Sequence, residues 1–317
     1  MRIILTSLPL LGLMLAGCKS AEPPFKGSAT VIPETAAELI AKDGSWGNTE
    51  GPAIDSKGTL YFTSRGTYKG IVSWTAKEGA KPYLAVATKE GPGGLWVDDK
   101  DNIFVTATGE QQILKVTPDK KVSVVAEGFD AMPPGVSKGP NDLVVHPNGT
   151  IYFTAPNGYD GKATKGTIYE IPAGGKAKVF SQDITGPNGI ILSADRQTLY
   201  VAHNTAENTS KIVAFQLNED GSHTAAKELA TIEPCQADGM DVDELGNIWL
   251  TCYSHGTAYR LTPAGQILEK ITTEQKALTN IKFGRGADNR TLYMTSSDMA
   301  RVTGYVYKAT AKAPGIR

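Results

Sequence analysis

One hairpin signature occurs six times along this chain of 317 residues, and that repeat constrains the fold more than any other feature. Each copy has a Gly- or Pro-containing turn, a short apolar strand, a turn rich in Asp, Gly or Asn, and a second strand carrying an aromatic residue. The copies are EGPAIDSKGTLYFTS (50–64), GPGGLWVDDKDNIFVTA (91–107), GPNDLVVHPNGTIYFTA (139–155), GPNGIILSADRQTLYVA (186–202), QADGMDVDELGNIWLTC (236–252) and LTNIKFGRGADNRTLYMTS (278–296). A regular period indicates one small structural unit repeated in space.

The aromatic residues of the six copies lie 43 to 49 positions apart; they are Tyr61, Phe104, Tyr152, Tyr200, Trp249 and Tyr293. Further strand-like stretches, such as 70–74 and 167–171, fill the intervals, so each unit contains four short strands. Units of this size and content are typical of propeller blades. The sequence therefore predicts an all-β, six-bladed β-propeller over residues 46–317, with four-stranded antiparallel blades around a central channel that contains a metal. A β-sandwich is the alternative, but sandwiches do not repeat one hairpin six times.

The first 17 residues have the pattern of an export signal. Met1-Arg2 is followed by the apolar run 3–16, which is too short to span a bilayer comfortably. The run ends in Leu15-Ala16-Gly17-Cys18, which resembles a bacterial lipobox and predicts lipidation of Cys18. An ordinary secretory signal with a chance cysteine is the alternative. Residues 18–45 then form the lipidated cysteine and a tether. We expect a periplasmic protein anchored to the bacterial envelope, at the outer membrane if the host is Gram-negative.

Composition excludes several classes of partner. Lys and Arg total 32 and Asp and Glu total 33, a net charge of -1, which argues against a nucleic-acid binder. No segment after the signal is apolar enough to span a membrane, so the lipid anchor is the expected membrane contact. We expect a monomer. Cys235 and Cys252 either form a disulfide in an oxidising compartment or pack as free thiols, and the sequence leaves both open.

Polar side chains recur at one phase of the repeat. In a propeller, the residues just before the first strand of every blade meet at one mouth of the channel. Counting back 11 or 12 positions from the aromatic residue reaches Glu50, Asn141, Asn188 and Asp238, whereas the second copy has Gly93 there. Two carboxylates and two amides around one axis match the oxygen ligands that Ca²⁺ prefers. Taken one at a time, such residues are also common turn formers. We predict one divalent ion, Ca²⁺ first, with Zn²⁺, Mn²⁺ and Mg²⁺ as alternatives.

The motifs EGP (50–52), PND (140–142), PNG (187–189) and DGM (238–240) resemble those of the gluconolactonase and senescence-marker-protein (regucalcin) family. PNDLVVHPNGTIYFTAP (140–156) and TNIKFGRGADNRTLYMT (279–295) are similar to its gluconolactonase-type branch, and the resemblance covers roughly residues 45–306. It implies a six-bladed propeller with a central divalent metal held by Glu50, Asn188 and Asp238. Asn141 would bind the metal or contact the substrate, with Asp142 secondary. The arginine that the sugar-lactonase branch often has before PND is absent, since Ser137-Lys138-Gly139 stands there.

The ends of the second strands should ring the same pocket. Among them, His203 is a candidate hydrogen-bond donor to the substrate or proton shuttle near the metal, or else a satisfied polar residue at a strand end. Arg65 is a candidate for holding a carboxylate or phosphate of the substrate, or else a solvated loop cation.

Three functions fit this set of residues. The first is a metal-dependent carboxylic ester hydrolase that opens a small lactone, with Asp238 handling the proton of the attacking water. The second is an organophosphate or aryl-ester hydrolase of the diisopropyl-fluorophosphatase type. The third is a non-enzymatic propeller that binds a ligand or partner and carries a structural ion. The fold alone does not separate them.

Overall fold

The repeated hairpins fold into six four-stranded antiparallel sheets in the computed structural model, which describes residues 31–129, 139–157, 165–206 and 208–316. The first strands of the blades, nearest the axis, are β3 (Thr49–Ile54), β7 (Leu95–Val97), β11 (Leu143–Val145), β15 (Pro187–Leu192), β19 (Gln236–Val242) and β23 (Ala277–Phe283). The second strands are β4 (Leu60–Arg65), β8 (Ile103–Ala107), β12 (Ile151–Ala155), β16 (Thr198–Ala206), β20 (Ile248–Tyr253) and β24 (Thr291–Ser297).

The third strands are β5 (Lys69–Thr75), β9 (Gln112–Val116), β13 (Thr167–Ile171), β17 (Thr209–Gln216), β21 (Thr257–Leu261) and β25 (Gly304–Thr310). In the first five blades the fourth strands are β6 (Gly79–Ala85), β10 (Val122–Glu127), β14 (Lys178–Ser181), β18 (Lys227–Ile232) and β22 (Ile267–Thr272). The first strands contact one another in sequence and β23 contacts β3, so the ring is closed. The predicted six-bladed propeller is confirmed.

The fourth strand of the sixth blade comes from the other end of the chain. Strand β2 (Glu38–Asp43) pairs antiparallel with β25, with Glu38 opposite Lys308 and Asp43 opposite Gly304. Before it, β1 (Glu34–Ala36) adds a fifth, parallel strand beside β22. The boundary that the sequence analysis placed between residues 45 and 46 is therefore wrong, because 34–43 belong to the last two blades. These residues lack the hairpin signature, since they complete a sheet that begins elsewhere.

Aspartates shape the turns between the first and second strands. Oδ1 of Asp55 accepts backbone N–H groups of Lys57 at 2.9 Å and Thr59 at 2.8 Å. Asp98 and Asp243 make the same pair of bonds in the second and fifth blades. An aspartate that accepts bonds from its own turn fixes a tight hairpin, which explains the Asp-rich turn of the repeat.

Side-chain hydrogen bonds to backbone carbonyls join each blade to the next, and most of the donors are threonines on the second strands. Three of them donate Oγ1–H to backbone carbonyls of the following blade, namely Thr63 to Gly93 at 2.9 Å, Thr106 to Asn141 at 2.8 Å and Thr154 to Asn188 at 2.7 Å. Thr251 does the same to Thr279 at 2.9 Å, and Thr279 donates to Thr49 at 2.8 Å across the closing interface. Between the fourth and fifth blades, Asn204 Nδ2 donates to the Ala237 carbonyl at 3.1 Å instead.

Apolar side chains fill the space between blades, and the six aromatic residues of the repeat are all buried. All four tryptophans are buried as well, as the sequence indicated. Cys235 and Cys252 form a disulfide with Cα atoms 5.0 Å apart, which settles the open alternative in favour of a covalent bond within the fifth blade. Cys18 and the part of the predicted tether before residue 31 lie outside the described residues. Within the described ranges, no helix is long and apolar enough to cross a membrane.

Ring closure by β2 predicts a stability test. Removing residues 31–43 strips β25 of its outer partner and leaves an open sheet edge. A chain that begins at Gly44 should unfold more than about 10 °C below one that begins at Val31, since a loss of several kcal/mol lowers the midpoint by a few degrees per kcal/mol. Thermal unfolding followed by circular dichroism measures this. Equal midpoints for the two chains would contradict closure by β2.

Candidate metal centre

Irregularities in the first strands place the candidate ligands at the mouth of the channel, the end at which these strands begin. The pairing of first and second strands shifts register between Glu50 and Ala53, between Pro187 and Ile190, and between Ala237 and Met240. Asn188 and Asp238 lie within these bulges and Glu50 borders one. Because a bulge redirects side chains that regular alternation would send elsewhere, these three residues are aimed differently from the strand residues below them.

Glycines let the first strands approach closely at this level. A Cβ on Gly51, whose φ is +50°, would collide with the backbone at Leu95 of the second blade. A Cβ on Gly189 would collide with the Asp238 carbonyl. Glycine next to a ligand position therefore brings neighbouring blades together around the axis.

Glu50 and Asp238 are both buried, at 8% exposure each, and the charge on Glu50 raises the pKa of Asp238. Burial raises the pKa of Glu50 and the Asp142 charge raises it as well, while the guanidinium groups of Arg65 and Arg301 lower it, and the net pKa is about 7. Burial also raises the pKa of Asp238 well above its ordinary value, and the charges on Glu50 and Asp142 add to this effect. Two buried carboxylates that disfavour each other's ionisation form a site at which a cation is stabilised.

The amides complete the set in different ways. The Asn188 side chain hydrogen-bonds to Asp238 and lowers its pKa, and its Nδ2 also lies 3.2 Å from the Ala237 carbonyl. Its Oδ1 is buried without a hydrogen-bond partner. Asn141 is fixed through its backbone, whose N–H donates to Thr154 at 2.7 Å and whose carbonyl accepts from Gly94 at 2.9 Å.

A second polar layer, formed by Asp142, Asn280 and Lys282, lies next to the candidate ligands Glu50 and Asp238. Nδ2 of Asn280 donates to Oδ2 of Asp142 at 3.3 Å, which joins the sixth blade to the third across the ring. Burial raises the pKa of Asp142, while the Lys282 ammonium lowers it. Lys282 itself is buried, donates to the Met240 carbonyl at 2.7 Å and lies 5.4 Å from the centre of the Trp96 ring. Asp142, Asn280 and Lys282 are thus each paired with another polar group.

His203 lies opposite Pro187, the residue before Asn188, so it is near the mouth as predicted. Its Nδ1 is 3.1 Å from the Thr185 carbonyl. Since a carbonyl only accepts, Nδ1 carries the proton and Nε2 is the unprotonated nitrogen of the neutral ring. Burial lowers the pKa of His203, which keeps the ring neutral at pH 7.

Arg65 ends β4 beside the mouth, and its charge lowers the pKa of Glu50. Arg301 was missed by the sequence reasoning, although its charge lowers the pKa of both Glu50 and Asp238. It lies in the loop between β24 and β25, outside the repeated hairpins. The sequence could have pointed to Arg301 only through its position, because it follows the second strand of a blade and loops at that end of the strands reach the mouth.

The donor set fits a hard divalent cation. Oxygen from two carboxylates and an amide is what Ca²⁺ and Mg²⁺ prefer, and the buried, unpaired Oδ1 of Asn188 is an acceptor that a cation would satisfy. In the described part of the chain, no group of three or more His, Cys, Asp or Glu side chains is arranged to hold a metal. Glu50 and Asp238 contribute two such residues, and the other donors are amides.

Known proteins share this architecture. The family model for the SMP-30/Gluconolactonase/LRE-like region matches residues 48–298. A gluconolactonase of Zymomonas mobilis subsp. mobilis is 26% identical over 292 residues, covering 83% of this chain and 79% of that protein. A gluconolactonase structure from Xanthomonas campestris superposes with a TM-score of 0.69 at 22% identity, covering 88% of this chain and 99% of that one. Regucalcin from Agrobacterium tumefaciens, a calcium-binding protein, gives 0.69 at 20% identity and covers 90% and 98%.

The structure is thus a six-bladed propeller with two buried carboxylates and an amide clustered at the mouth of its channel. With the family model matching most of its length, the chain belongs to the SMP-30/gluconolactonase/LRE-like family.

The raised pKa of Glu50 predicts how stability depends on pH when a chelator is present. Between the ordinary value of 4.5 and about 7, the folded protein holds a proton that the unfolded chain has released. The free energy of unfolding should therefore fall as pH rises through this window, with Glu50 contributing about 3 kcal/mol. Urea unfolding at pH 5 and 7.5 measures the change, and Glu50→Gln should remove the part that Glu50 contributes, while Asp238 and Asp142, whose pKa values are also raised, keep the rest.

Glu219→Gln, at an exposed glutamate, is the matched control and should keep the pH dependence of the wild type. If Glu50→Gln and the wild type lose the same stability between the two pH values, then Glu50 is not the group that titrates.

Proposed function

We propose that this protein is a metal-dependent hydrolase that opens lactones. The observation that carries the proposal is the pair of buried carboxylates, Glu50 and Asp238, at the channel mouth, where the charge on Glu50 raises the pKa of Asp238. A purely structural channel gains nothing from two such groups, because burial of unpaired acids is costly. The gluconolactonase relative and the family to which the chain belongs support a lactone as the substrate class.

Glu50, Asn188 and Asp238 would hold the ion, and Asn141 would bind it or contact the substrate. A divalent cation, Ca²⁺ in this proposal, supplies Lewis-acid polarisation of the lactone carbonyl. The oxygen-only donor set supports Ca²⁺ over metals that favour nitrogen or sulfur. The structure named for regucalcin, a calcium-binding protein, supports the same choice.

Asp238 handles the proton. As water adds to the lactone carbonyl carbon, the Asp238 carboxylate accepts a proton from that water. The acyl C–O bond of the ring then breaks, and the same proton passes to the departing alkoxide. Water and lactone give one hydroxy acid, with no other reactant.

His203 is proposed as a neutral hydrogen-bonding group for the substrate. Its Nδ1–H is held by the Thr185 carbonyl, which leaves Nε2 as an acceptor for a substrate hydroxyl. The bond to the Thr185 carbonyl also fits the alternative that His203 is only a satisfied polar residue at a strand end. A substitution of His203 distinguishes this structural role from substrate binding. His203→Gln should raise KM for hydroxylated lactones if Nε2 contacts substrate, and should leave KM unchanged if the ring only bonds Thr185.

Two substitutions separate metal binding from proton transfer. Asp238→Asn keeps the shape and removes one charge and the base, so kcat should fall at least about 100-fold while the propeller stays folded. Glu50→Gln should act mainly through metal affinity, and excess Ca²⁺ should restore part of its activity but none of that of Asp238→Asn. Hydrolysis of lactones, aryl esters and fluorophosphates, with and without chelator, measures these effects.

Chelator should also lower the melting temperature of the wild type, because an ion that binds only the folded state adds stability.

Asp195→Asn provides the control, since Asp195 lies in the hairpin turn between β15 and β16, where it accepts a bond from Gln197 N–H at 3.0 Å. It should match the wild type. Full activity of Asp238→Asn at limiting metal would overturn the role of Asp238, and cleavage of fluorophosphates but no lactone would favour the phosphatase-like alternative.

We further propose that Cys18 carries a lipid that anchors the propeller to the periplasmic face of the cell envelope. The signal-like residues 1–17 and the sequence Leu15-Ala16-Gly17-Cys18 support this. Cys18→Ser should move the protein out of the membrane fraction or leave its signal uncleaved, as judged by fractionation and by mass. A wild-type protein found wholly in the soluble fraction after signal cleavage would contradict the anchor.

A further inference from the structure

Two guanidinium groups flank the mouth on neighbouring blades, and the hydrolytic chemistry proposed above gives them no role. Arg301 is presented by a turn that Asp298 fixes from several sides. Oδ1 of Asp298 accepts from Val302 N–H at 2.9 Å, and Oδ2 accepts from Thr303 N–H at 2.9 Å. The Asp298 carbonyl accepts from Arg301 N–H at 2.9 Å. The arginine therefore sits on a rigid turn, although the residue itself is exposed.

The side chain of Arg301 reaches across to the fifth blade. Its Nε donates to the Tyr253 hydroxyl at 3.1 Å, and its guanidinium carbon lies 5.5 Å from the centre of that ring. Tyr253 pairs with Gln236, two residues before Asp238. Tyr253 thus orients the guanidinium just outside the carboxylates, with one of its five donors engaged.

Arg65 occupies the corresponding level of the first blade. Its backbone N–H lies 2.9 Å from the Trp46 carbonyl and 3.1 Å from that of Asn48, two residues before Glu50. Its Nε donates to the Glu90 carbonyl at 3.3 Å, and its Nη2 is 3.7 Å from the Glu90 carboxylate, which is half exposed. Gly91, with φ of +86°, allows this approach, because a Cβ there would press on Arg65.

These charges oppose the binding of a cation. Any positive group near Glu50 and Asp238 weakens the affinity of that pair for a divalent ion, and salt screens such effects only partly at a half-buried mouth. A negatively charged group bound at this mouth would account for two arginines there. Guanidinium binds carboxylate, sulfonate and phosphate through charge-assisted hydrogen bonds.

We propose that Arg65 and Arg301 form an anion-binding subsite at the channel mouth, and that the substrate is a lactone bearing a carboxylate, sulfonate or phosphate away from its ring carbonyl. This inference rests on the proposed lactone hydrolysis and narrows its substrate class. Tyr253 is a positioning residue for Arg301.

The test compares two matched substrates, glucono-1,5-lactone and the same lactone phosphorylated on its C6 hydroxyl. Removing Arg301 changes the pKa values of the carboxylates and so affects both substrates, but that shared effect cancels in the ratio of their kcat/KM values. The wild type should favour the phosphorylated lactone, and Arg301→Gln should reduce the ratio about tenfold or more, mainly through KM. Arg65→Gln should reduce it in the same direction, and Arg301→Lys should keep most of it.

Arg290→Gln is the matched control, because Arg290 lies in the loop between β23 and β24, at the other end of the strands, and the same charge is lost there. It should leave the ratio unchanged. An equal loss of kcat/KM for both lactones in Arg301→Gln would overturn the subsite while leaving lactone hydrolysis intact.

Calorimetric binding of gluconate and 6-phosphogluconate gives a readout that needs no catalysis. The wild type should bind the phosphorylated acid more tightly, and Arg301→Gln should lose that preference. If the wild type hydrolyses no lactone but still shows this preference, the hydrolytic proposal fails and the anion subsite stands. Equal affinity for the two acids in the wild type would overturn the subsite.

Discussion

A hydrogen bond repeated at each blade interface holds this structure together. In most blades a threonine on the second strand donates to a carbonyl of the next first strand, and two of the accepting residues are Asn141 and Asn188. Each bond contributes only about 1 kcal/mol net, but together they fix the backbone of the residues that face the axis. Where the fourth blade has Ala202, Asn204 makes the link to Ala237, which precedes Asp238. The bonds that assemble the ring are therefore also those that position the candidate site.

Buried charge of both signs is the second constraint. Glu50, Asp238 and Asp142 lie close enough to affect one another's ionisation, and Lys282 is buried among the channel groups with its ammonium bonded to Met240. Negative charge is concentrated at the mouth, while in the second polar layer the Lys282 ammonium offsets the charge of Asp142 and Asn280 donates a hydrogen bond to that carboxylate. This division leaves the mouth as the place where an external cation is stabilised. Arg65 and Arg301 add positive charge at this same mouth, where it opposes the binding of a cation.

The sequence predicted the ring and much of the site because both follow the repeat. Six hairpins at a regular spacing, each with its turn aspartate and aromatic residue, carry the information for blade number and for the level of Glu50, Asn188 and Asp238. Residues outside the repeat could not be read in this way. Strands β1 and β2 pair with segments more than 230 residues away, and Arg301 lies in a loop whose path depends on Asp298. The bulges that aim Asn188 and Asp238 are likewise invisible in the sequence, since they are departures from the pairing that it encodes.

Closure of the sixth blade by β2 has a consequence for the order in which the fold can form. Ribosomes deliver the chain from its N-terminus, and an exported chain that leads with its signal also enters the new compartment in that order. Strand β2 therefore arrives long before its partner β25, which spans Gly304–Thr310. The ring cannot close until β25 (Gly304–Thr310) has arrived, and until then β2 has no partner strand. Ring closure therefore depends on synthesis through β25, because a chain that ended before this strand would leave β2 unpaired and open to proteolysis.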